Sequence, residues 1–157
     1  MMISARTKQE EMFRKLSIRT GDAKPLFAIT IFGETHSKAN SRKLIPNKKT
    51  GRIYSIKSQG ALDYVESFLG QIQRRRYQRG GGGLPVEPIT CKLVMYCTIF
   101  YKDERKDLDE SLVMDCLEKS GVVKNDRQIR TKFIDHEIDK FNPRTEIILF
   151  RRVCLNG

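Results

Sequence analysis

The sequence predicts an α+β fold, a two-layer domain with helices on one face of a mixed β-sheet, in the approximate order β-β-α-β-α-β-β. Three observations predict it. Runs rich in β-branched and aromatic residues, LFAITIFG (26–33), PITCKLVMYCTIFY (88–101) and TEIILFRRV (145–153), have the composition of strands. Between them, two segments repeat apolar residues at helical spacing, about 60–76 and 108–117. Strands and one-sided helices each leave an apolar face to bury, so interleaving them calls for packed layers. At 157 residues, 39% hydrophobic and 31% charged, the chain has the size for one core under a heavily charged surface.

The elements follow in order. Residues 1–24 are polar and mixed in charge, an N-terminal extension that is either a short helix or without structure, with a break at Gly21 to Pro25. The domain proper spans 25–157. LFAITIFG reads as a buried strand ended by glycine, and ETHSKANSRKLIPNKKTGR as a basic loop turning at Pro46, Asn47 and Gly51. RIYSIK (52–57) alternates and reads as a short strand. Ser58 is placed to cap a helix whose stripe is Leu62, Val65, Leu69 and Ile72, joined by Ala61 and Phe68. RRRYQR then leads into Gly80–Gly83, a run that imposes no conformation and predicts a flexible loop. Residues 88–101 form the longest strand candidate. Leu108, Leu112, Cys116 and Leu117 line a short helix closed by Gly121. A turn, a strand through RQIRTKFIDHEI and the final strand complete the sheet.

No apolar run approaches the roughly 20 residues that span a bilayer, and MMISARTKQEEMFRK lacks the apolar centre of a secretory signal. A cytoplasmic protein is expected. Cys91, Cys97, Cys116 and Cys154 form no CxxC pair, so plain thiols are expected rather than a disulfide or zinc framework. His36 and His136 stand alone in the sequence. Gly80–Gly83 lack the GK[ST] of a nucleotide-binding loop, so no nucleotide cofactor is expected.

Charge is unevenly spread. The net formal charge is +11; residues 34–83 hold eleven Lys and Arg against three acids, whereas residues 103–146 hold twelve acids against nine bases. The basic part reads either as a polyanion-binding surface, where each neutralised phosphate releases counterions, or as a solvated face. Lys38 and Arg42 in the first basic loop, and Arg74, Arg75 and Arg76 at the first helix end, are candidate phosphate contacts. The arginines equally suit the negative end of the helix dipole.

The acidic part concentrates in KDLDESLVMDC (106–116). Asp107 and Asp109 are two apart, so in extended backbone both carboxylates face one way. Asp126 joins them only if the strand after the helix starts nearby. Convergent carboxylates suit Mg²⁺, with Mn²⁺ as the substitute, and such an ion activates water at a phosphodiester. The plainer alternative is that these acids favour a helix N-terminus.

The segment DLDESLVMDCLEKSGVVKNDRQI resembles the signature of the RusA family of Holliday-junction resolvases of phages and prophages, an Asp-x-Asp-Asn segment, a helix with Asp-x-Leu, a glycine, a hydrophobic pair and an Asp pair. Here these read Asp107-Leu108-Asp109, Asp115-Cys116-Leu117, Gly121-Val122-Val123 and Asn125-Asp126. ITIFGETHSKANSRK, GRIYSIKSQGALDYVESFLGQI and PRTEIILF are similar to the family's other elements, so the resemblance covers roughly 26–150. It implies a Mg²⁺-dependent endodeoxyribonuclease that acts as a homodimer on branched DNA, paired nicks at a four-way junction, and a bacterial host cytoplasm. Asp107, Asp109 and Asp126 then match the catalytic metal-binding acids and Asp115 the helix acid. Glu110 replaces the Asn, Asn125 the first member of the Asp pair, and Ser111 to Met114 contain no counterpart of the family's helix lysine. Lys124, Arg127 and Arg130 are the candidate substitutes, and further candidate DNA contacts.

Overall fold

The structure, a computed structural model, describes residues 5–21, 24–37 and 42–154. In chain order the elements are α1 (Ala5–Thr20), β1 (Phe27–Phe32), β2 (Arg42–Pro46), β3 (Ile53–Lys57), α2 (Gln59–Arg76), β4 (Leu93–Tyr101), α3 (Ser111–Lys119), β5 (Ile129–Ile138) and β6 (Arg144–Arg151). Short 3₁₀ turns lie at Arg79–Gly83 and Asp126–Gln128. Four strands make a mixed sheet in the order β1-β6-β4-β5, in which only β4 and β5 run parallel. The α+β class predicted from the sequence is the class observed.

The core forms where α2 and α3 cover one face of this sheet. Leu93, Met95, Cys97, Ile99 and Tyr101 alternate along β4 toward that face, and all are buried. Ala61, Tyr64, Phe68 and Ile72 meet them from α2, and Leu112, Val113, Cys116 and Leu117 from α3. The Tyr64 hydroxyl is itself buried and shares a hydrogen bond of 3.3 Å with Thr145 Oγ1 on β6. Ser58 Oγ accepts from Ala61 N, so the predicted cap of α2 is present. Gly121, at φ +73°, closes α3 with the left-handed turn predicted there.

Residues 5–20 are helical, one of the two forms expected for the N-terminal extension, and the end of α1 is tied down: Val153 N donates to Arg19 O at 2.8 Å, and Thr20 is buried. Several elements differ from the sequence prediction. Residues 42–46, predicted as loop, pair with Ile53–Lys57 as a separate two-stranded hairpin. Dense lysine and arginine masked the Leu44-Ile45 strand signal, and the pairing comes from the turn between. In α2 the buried stripe is Ala61, Tyr64, Phe68 and Ile72; Leu62 is 45% exposed, because the amphipathic tyrosine supplies the inward contact. Leu108 precedes α3 and is exposed. β4 begins at Leu93, leaving β5 as the longest strand. The glycine run winds into a compact turn in which Arg75 Nε donates to Gly82 O at 2.5 Å. A Cβ at Gly82 would lie 2.3 Å from Arg75 Cγ, so this turn requires glycine there.

Candidate functional site

Asp107 and Asp109 follow the C-terminal end of β4, and the buried Tyr101 ring organises them. Its hydroxyl donates to Asp107 O at 3.2 Å and accepts from Asp109 N at 3.3 Å. Burial pushes this phenol above its ordinary pKa, which keeps the proton available to donate. The backbone between the two aspartates is thereby fixed from below. Asp107 is exposed and Asp109 half-buried. Asp109 Oδ1 accepts from Ser111 N at 2.9 Å, at the first turn of α3. The N-cap position of α3 is Glu110, whose side chain makes no capping bond, so Asp109 engages the first helical N–H from the residue before it, in line with the plainer reading of acids at a helix N-terminus.

Cations and imidazoles gather at this end. Lys106 Nζ pairs with Glu34 at 3.1 Å, and Glu34 also accepts from Lys102 N, tying the segment after β1 to the turn after β4. Lys132 on β5 pairs with Glu110. His136 stacks on Tyr101 with ring centroids 4.8 Å apart. His36 lies against Gly60 and within the field of Lys106, Glu34 and Asp63; burial is the main cause of its lowered pKa. Lys106, next to Asp107 in the chain, and Lys132, through Glu110, are thus the bases whose ion pairs involve this segment. Sequence reasoning missed Lys132 because only the parallel β4–β5 pairing brings it there.

Asp126 does not join Asp107 and Asp109 within this chain. Its N–H donates to Glu118 Oε2 at 3.0 Å, at the far end of α3. The nine residues of α3 span about 13 Å. Oxygens that share one Mg²⁺ lie within about 4 Å of each other. The Ile89–Val123 bridge fixes the same separation, because it holds the end of α3 beside the start of the β4 segment. Asp115 lies on α3, where its charge acts on Lys57 and Cys116. Among the described residues, no group of three or more His, Cys, Asp or Glu side chains is arranged to hold a metal. Among the described residues, Asp107, Asp109, Asp126 and Asp115 are thus not gathered into the single shared site expected from the sequence.

The basic candidates divide by what they touch. Arg75 holds the glycine turn and Arg76 Nη2 donates to Ser120 O at 2.9 Å, so both guanidiniums brace the fold. Arg74 is exposed. Lys124, Arg127 and Arg130 are exposed around Asp126 at the start of β5. Lys38 lies outside the described residues, as does the side chain of Arg42. Burial pushes the thiols of Cys97 and Cys116 to a pKa of about 12, while Cys154 is exposed; all four cysteines are free, as expected.

Fold and site together define a class: a basic α+β protein in which the Tyr101 hydroxyl holds the backbone of Asp107 and Asp109 in the segment after β4. No protein-family model matches the chain, and no curated protein matches it significantly. Among the described residues, no helix is long and apolar enough to cross a membrane.

Proposed function

We propose that this protein is a Mg²⁺-dependent endodeoxyribonuclease of the RusA type, acting as a homodimer on branched DNA. The observation that supports it most is the Asp107–Asp109 pair, presented at the end of β4 by the Tyr101 hydroxyl, on a chain of net charge +11. Two carboxylates are a sufficient protein contribution for Mg²⁺, which commonly completes its shell with substrate phosphate and water. The bound ion would supply an activated water and charge stabilisation at the phosphodiester. Asp107 and Asp109 would hold it, and Lys106 and Lys132 would lower the repulsion between the acids and DNA. Two copies related by a two-fold axis would nick two strands of matching polarity. Asp126 and Asp115 have no part in this one-chain site.

A second reading has its own support. Asp109 Oδ1 is engaged by Ser111 N at the start of α3, residues 111–114 hold no lysine, and among the described residues no group of three or more His, Cys, Asp or Glu side chains is arranged to hold a metal. These features suit a branched-DNA-binding protein without cleavage.

A nicking assay on a synthetic four-way junction, with and without Mg²⁺, decides between them. Cleavage should require Mg²⁺ and fall more than about 100-fold in Asp107→Asn, since a metal's contribution is several kcal/mol and each 1.36 kcal/mol is tenfold. Binding without cleavage selects the second reading. Absence of binding at low salt, where phosphate contacts are strongest, defeats both.

A further inference from the structure

The β2–β3 hairpin is a sheet of its own: among the described residues its strands pair only with each other, and its base reaches α3 through Lys57, which interacts with Lys119 and Asp115. Residues 42–57 contain six Lys and Arg and no acid. Lys43, Lys48, Lys49 and Arg52 are exposed. The same ribbon leaves apolar side chains in water: Leu44 is 70% exposed and Ile53 69%. Register puts Leu44 opposite Ser55 and Pro46 opposite Ile53, so Leu44, Pro46 and Ile53 share one face.

The ribbon's tip is preorganised. Asn47 N donates to Arg52 O and Gly51 N to Asn47 O, both at 2.8 Å, while Asn47 Oδ1 accepts from Lys49 N and Thr50 N. An isolated two-stranded ribbon is marginal in water, and exposed apolar residues do not help it. A partner that covers this face therefore stabilises it. Its chemistry follows from the charge: six cations without an acid repel a second copy of the same hairpin and attract a polyanion. Among polyanions, nucleic acid also offers apolar base faces. A two-stranded ribbon fits a DNA groove, and apolar side chains wedge between base steps where stacking is broken.

We infer that the hairpin is a DNA-engaging arm, with Lys43, Lys48, Lys49 and Arg52 on phosphates and Leu44, Pro46 and Ile53 against base faces left open at a branch point. This inference rests on the DNA-binding reading above and adds a second contact surface, built without the Asp107–Asp109 pair.

The test uses the full chain and a four-way junction with 2-aminopurine at the branch. Wild-type binding should raise the fluorescence, as the base leaves its stack. Leu44→Ser/Ile53→Ser should abolish that rise and weaken binding about tenfold, with the circular dichroism melt unchanged. Lys48→Ala/Lys49→Ala should leave the fluorescence of the saturated complex intact. It should flatten the slope of log K against log salt by about 2. Equal fluorescence and affinity in the Leu44/Ile53 variant overturns the arm while leaving DNA binding in place. So does a variant that turns a dimer into a monomer in sedimentation with its fluorescence response intact, since the face then belongs to a second copy. A wild-type chain that binds no junction removes the DNA reading and the arm with it.

Discussion

Strand β4 and the β2–β3 hairpin are written in similar letters and meet opposite fates. LVMYCTIFY and the pair RKLIP and IYSIK all mix aliphatic and aromatic residues with polar ones. Along β4 every second residue is buried, because α2 and α3 lie over it and β5 and β6 flank it. Along the hairpin Leu44, Ile53, Tyr54 and Ile56 remain exposed, because among the described residues no third strand or helix is laid on them. The difference teaches that burial belongs to the covering element and only secondarily to the strand's own composition. It also separates a part of the molecule that holds the fold from a part that can be altered without unfolding it.

The largest test of that contrast pairs one residue from each region. Leu117→Ala removes a fully buried side chain between α3 and the sheet and should cost about 2–5 kcal/mol in denaturant unfolding. Ile53→Ala on the hairpin should stay within about 0.5 kcal/mol of wild type. Comparable losses would mean that the hairpin is packed against something in solution and would break the comparison.

A smaller effect is expected at the end of β4. Tyr101→Phe keeps the ring but removes the hydroxyl that links Asp107 O and Asp109 N. Stability should fall by about 1 kcal/mol. If the pair holds Mg²⁺, nicking should lose more than that, because the acid-bearing backbone is no longer held. A loss of stability with unchanged nicking would reduce Tyr101 to a structural role.

The smallest expected effect concerns pH. Burial holds the His36 pKa below its ordinary 6.5, so the folded chain favours the neutral ring. The corresponding stability is present above about pH 6.5 and is lost as pH falls through the lowered folded value. His36→Gln should flatten this part of the stability profile. A profile unchanged by the substitution would place His36 in water, outside the region joined by Glu34 and Lys106.

Much of the scaffold was legible along the chain because it rests on short-range rules. The Ser58 cap, the turn at Gly121, the apolar run of β4 and the periodicity of α3 all express themselves within a few residues. Strand β2 was not legible: its lysines and arginines resemble a loop, and its pairing depends on the turn that Asn47 organises. Tyr64 was missed because an amphipathic ring can face either way until Thr145 offers a partner. Lys132 was missed because it is 22 residues from Glu110 in sequence and meets it only across the parallel strand pair.

By itself, the amino-acid order determined the α+β class, the helix caps, the concentration of positive charge before residue 83 and the adjacency of Asp107 and Asp109. These follow from backbone propensity, from period and from counting. Only the tertiary structure decided that Asp126 sits beyond the far end of α3, that Lys132 meets Glu110 and His136 stacks on Tyr101, and that a cationic hairpin keeps Leu44 and Ile53 exposed. Those outcomes depend on which strands run parallel and which helix covers which face, and such long-range pairing is settled by competition for a single core that no local stretch of sequence contains.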